Sequence, residues 1–234
     1  MKIEILETVD STNSWMKRKI PALSEPFCVV AREQTLGRGR YQNNWISPRD
    51  SNLYFTYAEP RRFSLITYLQ ASALALQKVI SSYGITSQIK WPNDLLVDGK
   101  KMAGILIEGT EKENEPWAVI GIGLNVNMDE NLLASIGRPA TSLRACFGKN
   151  VSLEKIRENV LSELLNTLTA AQNDLSGYEK VWKEACSWIV GQQTTIRTSR
   201  ENISGHIEDI HPSGELILRC KDGSHIRISQ GEIV

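Results

Sequence analysis

A short segment rich in glycine and arginine, Gly37-Arg38-Gly39-Arg40, has the residue types needed to bind an anion. Glycine lets the backbone approach a ligand closely, and each guanidinium is a planar fork of donors that matches a carboxylate or a phosphate. No Asp or Glu lies between Gln34 and Arg49 to neutralise these charges. The segment favours an anion-binding loop, while a solvated basic turn, or stacking of single-stranded nucleic acid on Tyr41 and Trp45, stays open on these residues alone.

A second group of candidates lies on the two sides of a predicted hairpin. Pro92 keeps the residue before it out of the helical region, so Lys90-Trp91-Pro92-Asn93-Asp94 predicts a rigid bend at the end of a strand. Asp98-Gly99 is a strong hairpin signal that returns the chain, and neighbouring strand residues point to opposite faces. One of Lys100 and Lys101 can therefore turn inward, although a lysine beside a turn is more often solvated.

The third group is a glycine-containing apolar segment followed by two asparagines, Gly121-Ile122-Gly123-Leu124-Asn125-Val126-Asn127. Glycines inside a strand usually mark a bulge or the close approach of a ligand. Asn125 and Asn127 offer neutral oxygens to a phosphate or to hydrated Mg²⁺, although a single Asn is more often a turn residue.

Several classes of protein are excluded by residues that the chain lacks. All three histidines lie near the C-terminus, so a Ser-His or Cys-His nucleophile is not expected in the larger part of the chain. The sequence has no G-x-x-x-x-G-K-[ST] phosphate loop and no complete G-x-G-x-x-G. The four cysteines form no C-x-x-C pair and are expected to be buried, reduced thiols.

The charge balance and the N-terminal sequence limit the partners and the location. Lys+Arg and Asp+Glu both number 27, which argues against a surface that neutralises a nucleic acid. The N-terminal residues carry an acid and lack the apolar stretch of a signal peptide, and the longest apolar run, 118–124, is too short to span a bilayer. We therefore expect a cytoplasmic protein without a membrane or nucleic-acid partner.

The periodicity of apolar residues predicts the elements that position these groups. We expect helices over 14–20, 64–83, 153–168 and 178–185, and strands over 3–6, 27–31, 53–58, 85–91, 95–97, 102–108 and 117–126. Residues 37–50 have no periodic pattern and are predicted to form a loop. After residue 188, short alternating segments separated by Gly-containing turns predict a small β-barrel. The predicted domains are therefore 1–187 and 188–234.

Taken together, these motifs resemble the biotin protein ligase family. The resemblance covers essentially the whole chain, and its motifs occur in the family's order: Ser11-Thr12-Asn13, Gln34 with Gly37-Arg38-Gly39-Arg40, Trp45 with Ser47-Pro48, Lys90 to Asp94, Lys101-Met102-Ala103-Gly104-Ile105, Gly121 to Asn125, and Gly231-Glu232-Ile233.

The resemblance implies an ATP-dependent ligase that activates biotin as biotinyl-5'-AMP and transfers it to a lysine of a biotin carboxyl carrier domain. It implies an α+β fold, a mixed or antiparallel sheet with helices packed on it as in class II synthetases, followed by an SH3-like barrel. The resemblance further implies biotin as the substrate and ATP with Mg²⁺ as the co-substrate, and no prosthetic group is expected. A homodimer through an exposed sheet edge is implied as well. Because no segment precedes Ile3, we expect neither the DNA-binding domain nor the repressor function of the bifunctional members.

The resemblance also implies roles for individual residues. Arg38, Arg40 and Lys101 would bracket the biotin carboxylate and the α-phosphate, Asp94 would orient or deprotonate the acceptor lysine, and Asn125 would lie near Mg²⁺. The biotin-binding set is Ser11, Thr12, Asn13, Gln34, Gly37, Arg38, Arg40, Trp91, Lys101, Gly104, Gly121, Gly123 and Leu124, with Trp91, Leu106 and Leu124 walling the tail. The ATP-binding set is Arg38, Arg40, Trp45, Lys90, Asn93, Lys101, Asn125 and Asn127.

Two departures from the family pattern and two alternatives accompany this interpretation. The Arg loop continues as Tyr41-Gln42-Asn43-Asn44 instead of further Arg and Gly, and residues 127–141 lack the Trp that some members place over adenine. The loop from Arg38 to Asn44 is expected to fold over the water-sensitive acyl-adenylate. A lipoate or octanoate ligase is the alternative enzyme, and a nucleic-acid binding module is the non-enzymatic alternative.

Overall fold

A seven-stranded mixed sheet forms the centre of the larger part of the molecule. The computed structural model describes residues 2–234, with Gln42 described by its backbone alone. The strand order is β1-β2-β3-β7-β6-β5-β4; β1 is parallel to β2, and the other pairs are antiparallel. The strands are β1 (Lys2–Leu6), β2 (Phe27–Ala31), β3 (Asn52–Pro60), β4 (Gln88–Lys90), β5 (Asp94–Val97), β6 (Lys100–Lys112) and β7 (Glu115–Asn125).

Helices cover the two faces of this sheet unequally. The short helix α1 (Thr12–Lys19) packs on one face through Met16, and the adjoining turn contributes Ile20. The other helices are α2 (Leu65–Ser81), α3 (Glu130–Ser135), α4 (Leu143–Phe147), α5 (Leu153–Asn173) and α6 (Leu175–Cys186). The long helices α2, α5 and α6 pack on the opposite face in one large hydrophobic core. The face that carries α1 is therefore only partly covered, which leaves room for a cleft.

Most of the predicted elements are present, with different ends. The strand over 27–31 and the hairpin at Asp98-Gly99 are confirmed, and both hairpin residues have positive φ, 49° and 72°. The strand predicted over 85–91 is much shorter, because only Gln88–Lys90 pairs with β5. The helices α3 and α4 have six and five residues, too few for an apolar period to reveal them.

A second sheet follows, of five antiparallel strands in the order β11-β10-β9-β8-β12. The strands are β8 (Gln193–Arg197), β9 (Asn202–Ile210), β10 (Leu216–Arg219), β11 (His225–Ile228) and β12 (Glu232–Ile233). This barrel-like unit shares the large core, because Ile207 and Leu218 belong to the same buried cluster as α2. The α+β prediction with a terminal barrel is thus confirmed. The boundary between 187 and 188 stays a prediction, and residue 1 of the first predicted domain lies outside the described residues.

The cysteines follow the prediction only in part. Cys28 and Cys186 are buried free thiols, and burial raises the pKa of Cys28 to about 12 and that of Cys186 higher still. Cys146 is exposed and Cys220 is half-buried, so the expectation that all four thiols are buried is wrong. Cys146 is exposed because α4 is a short surface helix in which only Leu143 is buried.

Among the helices of residues 2–234, none has the length and the apolar character needed to cross a membrane.

Candidate active site

The floor of the candidate site consists of glycines on the partly covered face of the sheet. Gly104 of β6 pairs with Gly123 of β7, and Gly121 pairs with Leu106. The indole of Trp45 lies across the first pair, since a Cβ atom added to Gly123 would be 2.4 Å from Trp45 Cε2 and one added to Gly104 would be 3.0 Å from Cζ3. These positions need glycine because a flat side chain rests directly on the strand backbone.

The N-terminus of α1 meets this floor through Asn13. A Cβ added to Gly121 would lie 2.2 Å from Asn13 Oδ1, so the amide lies against bare backbone. Asn13 Nδ2 donates to Leu106 O at 3.2 Å and to Glu108 Oε2 at 2.9 Å, and Thr56 Oγ1 lies 2.7 Å from Asn13 Oδ1. The amide is thereby fixed on both sides.

Gln34 connects α1 to the glycine-arginine loop. Its Oε1 accepts from Thr12 N at 2.9 Å and from Thr12 Oγ1 at 3.2 Å, while its Nε2 donates to Ser47 Oγ at 2.9 Å. Gly37 packs against the same group, because a Cβ there would lie 2.6 Å from Ser47 Oγ. The loop that carries the two arginines is therefore anchored at its base.

Ser11 has a free side chain at the entrance to α1. It occupies the N-cap position but makes no side-chain capping hydrogen bond, and it is 4% exposed. Ser11 lines the cleft together with Thr12 and Asn13. Capping, the ordinary structural role for a serine at this position, therefore does not account for the side chain.

Glu108 is a carboxylate that contacts Lys17 and two residues of the cleft, Asn13 and Arg38. Oε1 accepts from Lys17 Nζ at 2.5 Å, and Oε2 accepts from Arg38 Nη2 at 3.1 Å as well as from Asn13. Burial alone would raise the pKa of Glu108, but hydrogen bonds from Lys17 and Asn13 outweigh it and hold the pKa below its usual range. The ionised carboxylate keeps Arg38 directed at the cleft.

Lys101 and Asp94 form a second ion pair across the β5-β6 hairpin. Lys101 Nζ lies 2.7 Å from Asp94 Oδ1, and both side chains are about one-fifth exposed (20% and 19%). The same ammonium lies 5.4 Å from the centre of the Trp45 ring. Lys100, one residue earlier, is exposed, so the expectation that one of the two lysines turns inward is confirmed for Lys101.

Arg40 is held between the bend at Asn93 and the C-terminal sheet. Its Nη1 donates to Asn93 Oδ1 at 3.2 Å and to Gly231 O at 3.0 Å. The loop that carries it turns sharply at Tyr41, which has φ 51°, and is closed by the hydrogen bond from Gly39 N to Asn43 O at 2.7 Å. In the segment predicted to fold over a ligand, Arg38 to Tyr41 and Asn43 and Asn44 line the cleft.

The cleft has two adjoining lobes. The first lobe lies between α1, the glycine floor and the loop that carries Arg38 and Arg40. The second lobe lies beside it, under the segment from Ile136 to Ala140, with Asn125 in its wall. The side chains and backbone at the junction, shared by both lobes, belong to Asn43, Asn44, Trp45, Lys101 and Arg138.

Three residues predicted to contact biotin lie outside the walls of the two lobes: Gly37, which packs at the base of the loop, Trp91 and Leu124. Trp91 is 1% exposed, and its Nε1 donates to Gly214 O at 2.9 Å, so the indole packs against the C-terminal sheet. Leu124 is fully buried in the core beneath the long helices. Because strand residues alternate in direction, Leu124 lies on the opposite face from Gly121 and Gly123. Leu106, the other predicted wall residue, does line the first lobe.

Two residues predicted to contact ATP are also occupied with structural contacts. Lys90 Nζ donates to Ile233 O at 3.0 Å, which ties β4 to the last strand. Asn127 Nδ2 donates to Val151 O at 2.8 Å, and Asn127 Oδ1 accepts from Val151 N at 2.9 Å. Both side chains lie outside the walls of the two lobes.

The side chain of Asn125 does not fit the role of a metal ligand. It is 3% exposed, its Nδ2 donates to Thr141 O at 3.0 Å, and its Oδ1 accepts from Asn52 Nδ2 at 3.4 Å. Within residues 2–234, no group of three or more His, Cys, Asp or Glu side chains is arranged to hold a metal ion. Any Mg²⁺ that enters with ATP would have to be held mainly through phosphate oxygens, as is usual for this ion.

The structure adds three residues that the sequence analysis did not select. Tyr54 lines the first lobe, with its hydroxyl donating to Pro48 O at 2.7 Å. The other two are Glu108, which accepts a hydrogen bond from Arg38, and Arg138, which lies at the junction of the two lobes. The alternation of β6 could have indicated Glu108, because it lies two and four residues after Leu106 and Gly104 and so shares their face.

Comparison with known proteins agrees with this geometry. The family model described as the biotin/lipoate A/B protein ligase family matches residues 5–125, and the model described as the biotin protein ligase C terminal domain matches residues 189–234. The chain is 29% identical over 236 residues to the biotin--[acetyl-CoA-carboxylase] ligase of Paracoccus denitrificans, covering 95% of this chain and 96% of that protein. It is 30% identical over 231 residues to the bifunctional ligase/repressor BirA of Salmonella typhimurium, covering 94% of this chain and 70% of that protein.

A solved structure gives the same result for the fold. The biotin protein ligase from Aquifex aeolicus in complex with biotin and ATP superposes with a TM-score of 0.85 at 25% sequence identity, covering 100% of this chain and 97% of that one.

Proposed function

Because the chain belongs to the biotin/lipoate A/B protein ligase family, we propose that it is an ATP-dependent ligase that activates biotin as biotinyl-5'-AMP and transfers the biotinyl group to a carrier lysine. The observation that carries the proposal is the two-lobed cleft, whose lobes meet at Lys101 and Trp45 with Arg38 and Arg40 on the adjoining loop. Two ligands can therefore meet end to end on a floor of bare backbone.

We place biotin in the first lobe. Its ureido ring needs short, fixed polar partners, and Ser11, Thr12, Asn13 and Gln34 provide them in the wall of the lobe. Leu106 supplies an apolar wall. The carboxylate at the end of the tail would then lie near Lys101, at the junction with the second lobe.

We place ATP in the second lobe, with Mg²⁺ carried on its phosphates. In the first step, a biotin carboxylate oxygen attacks the α-phosphorus, the bond between that phosphorus and the diphosphate breaks, and diphosphate leaves with the electron pair. The carboxylate is already ionised, so the step needs no general base. Two anions about 4 Å apart repel by roughly 4 kcal/mol at an effective dielectric constant near 20. Arg38, Arg40 and Lys101 are proposed to cancel this repulsion and to stabilise the in-line transition state.

In the second step, a lysine amine of the carrier domain attacks the carbonyl carbon of the mixed anhydride. An amide bond forms, the bond to AMP breaks, and the amine loses its proton. Asp94 lies in the wall of the first lobe next to Lys101, and we propose that it orients the amine or accepts that proton. The loop from Arg38 to Asn44 is proposed to shield the anhydride from water until the acceptor arrives.

We propose that the chain acts as a homodimer. Strand β5 pairs with β6 only through Lys100–Gly104, and Asn93 holds the backbone of Ile105. The part of β6 after Ile105 therefore presents an edge on that side to which another strand could add. Sedimentation equilibrium with biotin and ATP present tests this, and a mass of one chain under those conditions would contradict it. A cytoplasmic location and the absence of a nucleic-acid partner stay predictions from the sequence.

The decisive assay measures release of diphosphate and transfer of label to a carrier domain. The wild-type chain should release diphosphate only when both biotin and ATP are present. Lys101→Ala and Arg40→Ala should lower that rate by about 10²- to 10³-fold, the usual loss when one charge-stabilising donor is removed. Lys100→Ala is the matched control, since Lys100 is exposed beside Lys101, and should act like wild type. Equal rates for the Lys101 and Lys100 variants would contradict the assigned role.

Substrate choice between biotin and lipoate needs its own comparison. The match of residues 189–234 to the biotin protein ligase C-terminal model favours biotin. Labelling a carrier domain with biotin, lipoate or octanoate under equal conditions should give product with biotin only. Transfer of lipoate or octanoate in place of biotin would reverse the assignment, and salt-dependent binding of single strands without diphosphate release would favour the nucleic-acid alternative.

A further inference from the structure

Four cationic side chains line the cleft, and carboxylates neutralise only two of them. Arg38 Nη2 lies 3.1 Å from Glu108 Oε2, and Lys101 Nζ lies 2.7 Å from Asp94 Oδ1. In the part of the chain that the structure describes, none of the ion pairs includes Arg40 or Arg138; their guanidinium groups contact neutral oxygens instead. The uncompensated positive charge of the cleft therefore comes from these two arginines.

Arg138 occupies the junction between the two lobes. Together with Lys101, it is one of the two cations that line both of them. Its Nη2 donates to Asn44 O at 3.4 Å, a long contact that links its segment to the arginine loop across the cleft. A charged donor that holds only one distant carbonyl can exchange that partner for a phosphate oxygen at little cost.

The backbone holds Arg138 at a fixed distance from Lys101. Lys101 N donates to Pro139 O at 3.0 Å, and Thr141 N donates to Lys101 O at 2.9 Å. A β-bridge joins Lys101 to Ala140. The two cations thus sit on a single hydrogen-bonded frame, with the Lys101 side chain largely buried and Arg138 exposed at the rim.

We propose that Arg138 binds the β- and γ-phosphates of ATP and stabilises the departing diphosphate. This inference rests on the proposed function, in which the carboxylate attacks the α-phosphorus near Lys101. The bond to diphosphate then breaks on the side away from the attacking oxygen, and the electron pair and negative charge move onto the leaving group. A guanidinium at the rim of the junction meets that charge, and the product can leave past it into solvent. No proton transfer is required.

The inference is tested with Arg138→Gln, Arg138→Lys and the control Arg144→Gln. Arg144 is an exposed arginine of α4 that lies outside the walls of both lobes and contacts Asn127 O at 3.5 Å. Arg138→Gln should raise the KM for ATP about 10- to 100-fold, the loss expected for charge-assisted hydrogen bonds. Arg138→Lys should restore part of it, since the charge remains but the bidentate fork is lost. Arg144→Gln should stay within twofold of wild type.

A second measurement separates a phosphate contact from a structural role of the side chain. Biotinyl-5'-AMP lacks the β- and γ-phosphates, so Arg138→Gln should bind it, and bind biotin alone, with wild-type affinity within about twofold. Equal weakening of ATP and biotinyl-5'-AMP would overturn the assignment to the leaving group, as would an unchanged KM for ATP. Failure of the wild-type chain to release diphosphate with biotin and ATP would refute the proposed function itself, whereas an active wild type with an equally active Arg138→Gln refutes this inference alone.

Discussion

Replacing Gly121 with alanine should disable the biotin lobe while leaving the sheet in place. The added Cβ would lie 2.2 Å from Asn13 Oδ1 and 2.8 Å from Asn13 Cγ. Non-bonded contacts between such atoms are ordinarily about 3.3 to 3.8 Å, so the Asn13 side chain must move by about 1 Å. The neighbouring strand backbone cannot give way as easily, because Gly121 lies in the middle of β7 between two antiparallel partners.

The size of the effect follows from the contacts that this movement breaks. Asn13 Nδ2 is 2.9 Å from Glu108 Oε2 and 3.2 Å from Leu106 O, and a shift of about 1 Å takes both beyond hydrogen-bonding distance. The bond to the carboxylate contributes about 1.5–3 kcal/mol and the neutral one about 1 kcal/mol. We therefore expect a loss of about 2–4 kcal/mol, shared between folding and biotin binding. If binding takes all of it, the affinity for biotin falls by about 30- to 1000-fold.

The assay combines calorimetric titration with biotin and urea unfolding of the same samples. Gly109→Ala is the matched control, because Gly109 lies on the adjacent strand and a Cβ there would meet the Leu65 side chain at ordinary distances, 3.5 Å from Cδ1 and 4.0 Å from Cδ2. The control should bind biotin within twofold of wild type. A folded Gly121→Ala protein that binds biotin as tightly as wild type would refute the placement of biotin over this glycine.

Three further predictions concern residues outside the reaction centre. Trp91→Phe removes the indole hydrogen bond to the C-terminal sheet, so urea unfolding should show a loss of about 1–3 kcal/mol in the free energy of unfolding. The KM values for biotin and ATP should stay within twofold of wild type. A selective rise in the KM for biotin would instead support the prediction that Trp91 contacts biotin. The Arg18 hydrogen bonds lower the pKa of Asp10 to about 2, so its stabilisation is present above about pH 4 and is lost as pH falls toward 2. Asp10→Asn should abolish that part of the acid dependence, below about 1 kcal/mol for so exposed a pair, and an identical acid profile would contradict it. Iodoacetamide should alkylate the exposed Cys146 in the native protein and spare Cys28, because burial raises the pKa of the Cys28 thiol to about 12. Peptide mass spectrometry measures the labelling of both residues. Early labelling of Cys28 would contradict the argument from burial.

The sheet and the long helices could be predicted because their periodicity is local. A continuous apolar run predicts the strand over 27–31, and apolar residues nearly all round the helical wheel predict a buried helix α2. Such patterns do not specify which elements meet in space. The short helices α3 and α4 were missed for the opposite reason: each has only one or two turns and too few apolar residues for a period.

The candidate site shows the same division between local and spatial information. The motifs predict Gly104, Gly121 and Gly123 as biotin-binding residues, and the structure brings these glycines together on one face of the sheet. The motifs also predict Leu124, although alternation along β7 places it on the other face from Gly121 and Gly123. Alternation along β6 gives the face on which Glu108 lies, but not its contact with Arg38, which is 70 positions away in sequence. Which residues meet across such a separation depends on the strand order, and a single sequence does not specify the strand order.

The Lys90 to Asp94 segment shows how one motif serves two parts of the molecule. Asn93 faces the cleft and holds Arg40 Nη1, while Lys90 and Trp91 donate to backbone carbonyls of the C-terminal unit. The same Arg40 nitrogen donates to Gly231 O, so the C-terminal unit and the bend grip this guanidinium together. If every residue of this motif contacted a ligand, none would connect the C-terminal unit to the bend that holds Arg40. The direction of Arg40 is therefore set jointly by the bend at Asn93 and by the position of Gly231 O in the C-terminal unit.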